Sequence, residues 1–97
     1  MIFEWNQAKN RANIRKHGLD FADAEELFRG ILLAHPDLRE DHEEERWIGI
    51  GAMQGRTLVV AFTQRGPETI RIISLRKATR RERKQYEEAI QDQLEEG

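Results

Sequence analysis

The sequence predicts an α+β domain in which two helices precede an antiparallel sheet and one helix follows it. Three observations favour this class: two helical stretches near the N-terminus that each end at a glycine, alternating apolar runs between residues 46 and 77, and a capped amphipathic stretch after residue 79. A chain of 97 residues has room for one core and is too short for two. We therefore expect one domain over 1–97, with the order β-α-α-β-β-β-β-α.

The N-terminal part of the sequence predicts a short strand followed by a helix. Residues 2–5 are apolar enough for a half-buried strand, and Asn6 then stands at a position suited to a helix N-cap. The helix is expected over 7–17, and Gly18 supplies the left-handed conformation in which many helices end. Three residues are expected on its inner face: Ala8, Ala12 and Ile14.

A second helix and a short strand are predicted before the main sheet. Asp20 is placed to open this helix and Gly30 to end it. Its expected inner residues are Phe21, Ala24, Leu27 and Phe28. Residues 31–34 form a short apolar run, and Pro36 indicates that the run ends there or lies at the edge of a sheet.

Three longer strands are predicted over 46–53, 56–65 and 69–77. Gln54-Gly55 is typical of a tight hairpin turn, and Gly66-Pro67 makes the second turn. Simple alternation places three residues of the middle strand on one face: Leu58, Val60 and Phe62. In the last strand, alternation gives one face made of Ile70, Ile72, Ser74 and Arg76, and a second face made of Arg71, Ile73 and Leu75.

The last predicted element is a helix that begins with a capping box. Thr79 and Glu82 have the spacing at which each side chain bonds the main chain of the other. The apolar stripe of this helix is Tyr86, Ala89, Ile90 and Leu94. Short connections make the later strands an antiparallel meander, and we expect the helices mainly on one side of it.

Composition excludes several kinds of site. The chain has no cysteine, so it contains neither disulfides nor thiolate metal sites. His17, His35 and His42 lack the spacing of known metal motifs, and the acidic segment 37–45 lacks the spacing of a calcium loop, which favours a solvated loop. Neither a phosphate-binding glycine loop nor a nucleophile elbow occurs. We therefore expect no metal and no cofactor.

The N-terminus and the apolar runs bear on location. No run approaches the about 20 apolar residues that a membrane helix needs. The first residues also lack the basic-then-apolar pattern of a signal peptide. We expect a cytoplasmic protein with no membrane association.

Charge is segregated along the chain, although its net value is only −2. Residues 56–84 contain nine bases and two acids, whereas residues 85–97 contain five acids and no base. Five arginines begin, end or interrupt the predicted strands: Arg46, Arg56, Arg65, Arg71 and Arg76. Guanidinium groups bind phosphate in a bidentate manner, so the arginines indicate a surface that holds RNA phosphates. Surface ion pairs with the many acids are the plainer interpretation.

Several segments together resemble the BrnT family of toxins from type II toxin–antitoxin systems. They are Phe3-Glu4-Trp5, then Lys16-His17-Gly18, and the run 71–83, RIISLRKATRRER. The resemblance covers about residues 2–88. It implies a RelE-like fold, a ribonuclease activity that blocks translation, and a BrnA-like antitoxin with a ribbon-helix-helix part that binds operator DNA.

The resemblance also implies site residues. The catalytic candidates are Lys16, His17, Arg65 and Arg76. The segment Glu45-Arg46-Trp47 is also matched, and these three are candidates for binding RNA. Two further RNA-binding candidates, Arg71 and Arg80, come from the pattern of basic residues and not from the resemblance. The expected reaction is metal-independent attack of the 2′-OH on its own phosphate, in which arginines stabilise the developing charge and an imidazole, which titrates near neutrality when free, moves a proton. Glu45 is a second candidate for the base. This requires the catalytic candidates to converge near the end of the first helix.

Two other functions fit the same residues. A non-catalytic module would bind nucleic acid through the basic surface and release no product. A pure interaction protein would use that surface to hold an acidic partner. Single residues also have plainer alternative roles: His17 as a cation that complements a helix C-terminus, Trp47 as a core residue, and Arg80 as part of a solvated helix face. Incubating RNA with the protein in EDTA separates the enzyme from both alternatives.

Overall fold

Five strands and three α-helices make up the computed structural model, which describes residues 1–39 and 44–96. The strands are β1 (Ile2–Glu4), β2 (Leu33–Pro36), β3 (Trp47–Met53), β4 (Arg56–Gln64) and β5 (Thr69–Lys77). The helices are α1 (Gln7–His17), α2 (Glu25–Arg29) and α3 (Arg80–Glu96), and a 3-10 turn, Phe21–Ala24, leads into α2. The strands form one sheet in the order β1-β5-β4-β3-β2. Strand β1 is parallel to β5, and all other neighbours are antiparallel.

The three long strands agree with the sequence prediction to within one residue at each end, whereas the short strand β2 lies two residues later than expected. Its first residue, Leu33, pairs with Ile50, and its last, Pro36, pairs with Trp47 at the edge of the sheet. Leu32 stays outside the strand because its side chain packs over Gly49 and Gly51 of β3. A Cβ at Gly49 would lie 3.0 Å from Leu32. The glycines of β3 thus make room for the residue that leads into β2.

Helices cover both faces of the sheet, so the expectation that they pack mainly on one side was wrong. On the first face, the 3-10 turn and α2 bury Phe21 and Leu27 against Leu58 and Val60 of β4. The second face holds a smaller cluster, in which Tyr86 of α3 packs with residues of β3 and β4. Both faces need cover because β3 and β4 carry apolar side chains on each side.

The inner face of α1 is polar, which contradicts the expected stripe. The three residues predicted to face inward are exposed: Ala8, Ala12 and Ile14. The buried residues of α1 are Asn10 and Asn13 instead. The Asn10 carboxamide donates to the Asp20 carboxylate at 2.9 Å and accepts from the Phe21 amide at 2.9 Å. Asn10 therefore fixes α1 to the start of the 3-10 turn, where Asp20 also accepts from the Ala22 amide as an N-cap.

Asn13 fixes α1 to the sheet. Its Oδ1 accepts from the Leu75 amide at 3.2 Å, and its Nδ2 donates to the Leu75 carbonyl at 2.8 Å and to the Leu19 carbonyl at 3.0 Å. Strand β1 pairs with β5 only as far as Glu4 and Arg71, so Leu75 lies beyond the end of its neighbour. The Asn13 carboxamide takes the place that a continuing strand would have. Without it, the N–H and C=O groups of Leu75 would be buried and unpaired.

A β-bulge divides β5 into two parts. Phe62 of β4 pairs with Ile72, but Ala61 pairs with Ser74, so Ile73 is an extra residue. Before the bulge, even-numbered residues such as Ile72 face the first core. After it, Leu75 faces that core, and its neighbours Ser74 and Arg76 face the opposite side. The expected alternation through the whole strand was therefore wrong, because one inserted residue reverses the facing of all that follow.

We expect Asn13→Leu to lower the free energy of unfolding by about 2–4 kcal/mol, because it leaves buried main-chain groups of Leu75 and Leu19 without partners. Urea titration followed by circular dichroism measures the change. Arg11→Leu, on the exposed side of the same helix, is the control and should change stability by less than about 0.5 kcal/mol. Equal stabilities of the two variants would contradict the role given to Asn13.

Candidate active site

A cavity of about 550 Å³ opens on the second face of the sheet, beside the start of α3. Its floor is apolar and its wall is polar. The floor includes Ile48, Val59 and Ala61, and the wall includes His35, Ser74 and Arg76. The cavity thus combines an apolar floor with a guanidinium group, which suits a ligand that has both a flat apolar part and an anionic part.

The bulge in β5 is what places Arg76 in this cavity. Arg76 lies opposite Val59, and Ser74 lies opposite Ala61, so all four line the same face. Without the extra residue Ile73, the facing of Arg76 would be reversed towards the buried first core. Bulges commonly re-aim side chains next to active sites. The extra residue therefore accounts both for the local distortion of the strand and for the position of Arg76 at the cavity.

Arg76 is held by Glu82 of α3. Its Nη1 donates to Oε1 at 2.8 Å and its Nη2 donates to Oε2 at 2.9 Å, which is a bidentate ion pair. Nη1 also donates to the Lys77 carbonyl at 3.2 Å. The Arg76 side chain is 37% exposed, so it remains accessible while being fixed in position.

The ion pair changes the pKa of both partners. Hydrogen bonding to Arg76 lowers the pKa of the Glu82 carboxyl from 4.5 to about 2, and partial burial opposes this only in part. The hydrogen bond to Glu82 raises the pKa of Arg76, while burial and the like charge of Arg39 act against it. Both groups are therefore charged throughout the physiological range.

Glu82 also belongs to the capping box that the sequence predicts, and this prediction is confirmed. Its Oε1 accepts from the Thr79 amide at 2.8 Å, and its own amide donates to the Thr79 hydroxyl at 3.2 Å. One carboxylate therefore caps α3 and binds Arg76 at the same time. The sequence predicted Glu82 as a capping residue but did not predict its ion pair with Arg76.

Asp37 and Arg39 complete the rim of the cavity. The Asp37 carboxylate accepts from Arg39 Nε at 2.9 Å and Nη2 at 3.2 Å, and its side chain is only 7% exposed. Within the segment 37–45, which was expected to be a solvated loop, Leu38 and Arg39 are exposed, and the Asp37 side chain departs from the expectation because Arg39 covers it. The rest of that prediction falls largely on residues 40–43, including His42, which lie outside the described residues.

The four catalytic candidates do not converge on one spot. Arg65 follows the end of β4, where its amide bonds the Thr69 carbonyl. Arg76 lies opposite Val59, six residues earlier in β4, which corresponds to about 20 Å along the strand. Arg65 instead pairs with Glu44 at 3.4 Å. The predicted convergence of Arg65 with Arg76 was therefore wrong, because Arg65 lies at the turn of the β4–β5 hairpin and Arg76 lies near its open end.

Lys16 and His17 lie at the same end of β5 as Arg76. They follow Asn13 by three and four residues, and Asn13 bonds Leu75, the neighbour of Arg76. Lys16 is exposed and His17 is half-buried in the last turn of α1, which Gly18 ends with a left-handed conformation as predicted. Neither residue lines the cavity, so the structure does not bring them to the wall that Arg76 forms.

Among the RNA-binding candidates, Glu45, Arg46 and Trp47 lead into β3. The Glu45 carbonyl accepts from the Thr63 hydroxyl, and the Glu45 side chain is exposed. Arg46 Nε is buried and has no hydrogen-bond partner among the described residues. Trp47 packs against the first core while partly exposed, as the plainer interpretation predicted.

The other two candidates lie apart from one another. Arg71 donates to the Glu4 carboxylate of β1 at 2.9 Å and is paired with Thr63 across the sheet, far from Arg76. Arg80 is exposed at the first residue of α3, close in sequence to Glu82. Of these two, Arg80 is nearer along the chain to the cavity.

Sequence reasoning missed five of the polar residues around the cavity: His35, Asp37, Arg39, Ser74 and Glu82. The first two lie in a short strand and a turn whose polar residues appear solvated in the sequence. Ser74 was placed correctly beside Arg76 but given no role. Glu82 carried a signal, since a capping box that starts just after a strand brings its acid close to the last arginine of that strand.

Two findings concern the described residues only. Over 1–39 and 44–96, no group of three or more His, Asp or Glu side chains is arranged to hold a metal ion. No helix in those ranges has the length and apolar character to cross a membrane.

Comparisons with known proteins place the chain among toxins. Residues 5–82 match the family model described as "Ribonuclease toxin, BrnT, of type II toxin-antitoxin system". The structure is similar to the 1.1 Å crystal structure of the Brucella abortus ribonuclease toxin BrnT, with a TM-score of 0.67 and 32% sequence identity. That match covers 82% of this chain and 100% of the Brucella chain. No curated protein matches the sequence significantly.

The ion pair predicts a dependence of stability on pH. The pKa of Glu82 is about 2 in the folded state and 4.5 ordinarily, so its contribution is complete above about pH 4.5 and is lost as pH falls towards 2. With solvent screening at Arg76, which is 37% exposed, we expect about 1–2 kcal/mol. The measurement is the difference in free energy of unfolding between the protein and Glu82→Gln, from pH 7 to pH 2.5. Glu88→Gln, at an exposed position of α3, should show no such loss, and a Glu82 difference that persists at pH 2.5 would refute the assignment.

Proposed function

The chain belongs to the BrnT family of ribonuclease toxins from type II toxin–antitoxin systems, and we propose that it is an endoribonuclease that cleaves RNA beside Arg76 and thereby inhibits translation. The family resemblance inferred from the sequence is confirmed. The observation that carries the proposal is the guanidinium of Arg76, fixed by a carboxylate at the wall of a cavity of about 550 Å³. The RelE-like classification of the fold belongs to the same proposal.

The proposed chemistry is transesterification within the RNA. The 2′-oxygen forms a bond to the adjacent phosphorus, the bond to the 5′-oxygen breaks, and the products are a 2′,3′-cyclic phosphate and a 5′-hydroxyl. Arg76 stabilises the negative charge that builds on the phosphorane. Since this side chain supplies the positive charge at the phosphate, we propose that the reaction needs no metal ion.

Proton transfer is assigned to the histidines and Lys16. Nδ1 of His35 lies 3.1 Å from the Pro36 carbonyl, which suits a tautomer that donates from Nδ1 and leaves Nε2 as an acceptor. We propose that this nitrogen takes the 2′ proton, because His35 lines the cavity with Arg76. Lys16 or His17, at the same end of β5, would protonate the leaving 5′-oxygen.

The remaining candidates would bind RNA on either side of the cleaved bond. Arg65 and Arg71 lie at the far end of the β4–β5 hairpin, so we assign them to phosphates several nucleotides away. Glu45, Arg46 and Trp47 precede or begin β3 at that end, opposite Phe62. Arg80, at the start of α3, would contact RNA close to the cavity.

A toxin of a type II system has a protein antitoxin as its partner. We propose that this antitoxin is BrnA-like, with a ribbon-helix-helix part, and that the complex rather than the toxin alone binds operator DNA. An acidic segment laid across the cavity would pair with Arg76 and keep RNA out. Both proteins would act in the cytoplasm.

Arg76→Ala should slow RNA cleavage by about 100- to 1000-fold, because it removes the group that stabilises the phosphorane. The measurement is single-turnover cleavage of an end-labelled RNA with the purified protein, in EDTA. Arg29→Ala is the matched control: this arginine lies on α2, on the other face of the sheet, in an ion pair where it is 71% exposed, and its loss should leave the rate unchanged.

The products also decide between functions. Fragments that end in cyclic phosphate support the enzyme. Salt-dependent binding of intact RNA with no fragments would favour the non-catalytic module. Equal cleavage by wild type and Arg76→Ala would exclude the site at this cavity.

A further inference from the structure

The hydrogen bonds of Arg76 divide its guanidinium into an occupied and a free side. A guanidinium has five N–H groups, one on Nε and two on each Nη. Glu82 accepts one from Nη1 and one from Nη2, at 2.8 and 2.9 Å, and the Lys77 carbonyl accepts a second from Nη1 at 3.2 Å. The occupied groups are therefore both N–H groups of Nη1 and one of Nη2.

The two groups left over lie next to one another. They are the N–H of Nε and the second N–H of Nη2, for which the described residues supply no acceptor. These two point in nearly the same direction from one edge of the planar group, and together they match the spacing of two oxygens of a phosphate. Arg76 lines the cavity and its side chain is 37% exposed, so a ligand has access to it.

We propose that Glu82 is a positioning residue for RNA cleavage: by holding the end of the Arg76 guanidinium, it presents the Nε–Nη2 edge to the scissile phosphate. This inference rests on the proposed function and assigns Glu82 a role within it. Glu82 does not touch the RNA. Its effect passes through the orientation of Arg76.

A lone arginine at the same position would lose this advantage. Its long side chain has several rotatable bonds, and ordering it at the transition state would cost conformational entropy. The bidentate bond to Glu82 orders it beforehand, and the capping box orders Glu82 in turn. A misplacement of about 1 Å at a reacting group can reduce a rate by about 100-fold. The opposite effect of Glu82, repulsion of the phosphate by its charge, is the competing role.

The test compares Glu82→Gln and Glu82→Asp in steady-state and single-turnover cleavage of one RNA. In Gln an amide N–H faces the donor Nη2, so half of the bidentate bond is lost, and in Asp the shorter side chain cannot reach both nitrogens. For both variants we expect kcat to fall about 10- to 100-fold with KM changed less than about twofold. Thr79→Ala is the control, since it removes one bond of the capping box and leaves the Glu82–Arg76 pair in place.

Two outcomes would overturn the proposed positioning role of Glu82. Glu82→Gln cleaving faster than wild type, while Glu82→Asp equals wild type, would show that the charge repels RNA, and it would overturn the proposal. Loss of rate in Thr79→Ala equal to that in Glu82→Gln would also overturn it, because the effect would then belong to the helix cap. A circular dichroism spectrum and unfolding curve for each variant exclude loss of fold.

The same experiment separates this inference from the proposed function. If wild type cleaves RNA, Arg76→Ala does not, and both Glu82 variants match wild type, the inference alone is wrong. If wild type fails to cleave, or Arg76→Ala cleaves equally well, the proposed function itself is wrong.

Discussion

The bond between Asn13 and Leu75 is the constraint on which the arrangement of the molecule depends. It joins a helix to a strand at the point where the neighbouring strand has ended, and so it decides where α1 lies against the sheet. The position of α1 in turn sets the position of Lys16 and His17. The same strand continues to Arg76, and five residues further along the chain separate Arg76 from Glu82. A buried amide therefore connects the packing of the N-terminal half with the candidate site in the C-terminal half.

Much of the fold follows from local patterns in the sequence. Hairpin turns, caps and apolar runs are local signals, and they predicted the bounds of β3, β4 and β5 to within one residue and both ends of α1. The inner face of α1 did not follow, because the helix is held by Asn10 and Asn13, and a polar side chain in a helix looks solvated until its partners are known. Those partners lie outside the helix: Asp20 and Phe21 are 10 and 11 residues from Asn10, and Leu75 is 62 residues from Asn13. Periodicity within the helix does not report such bonds.

The site was harder to predict than the fold. Arg76, a catalytic candidate from the sequence, lines the polar wall of the cavity, but Arg65 was expected beside it and lies at the other end of the hairpin. Both arginines lie at or near the end of a strand. Only the pairing of the strands shows that these two positions are at opposite ends of the hairpin. His35 and Asp37 were passed over because they come from a short edge strand and the turn after it. The bulge at Ile73 has no signal in composition either, since Ile-Ile-Ser continues the strand pattern.

That bulge divides β5 into two stretches whose even-numbered side chains have different surroundings. Up to Ile72, the inward-facing residues pack in the core, so a substitution there changes stability. From Ser74 onward, the even-numbered residues Ser74 and Arg76 face the cavity instead, so a substitution there changes the lining of the candidate site. Substitutions in this one strand are thus constrained by core packing before Ile73 and by the shape and charge of the cavity after it.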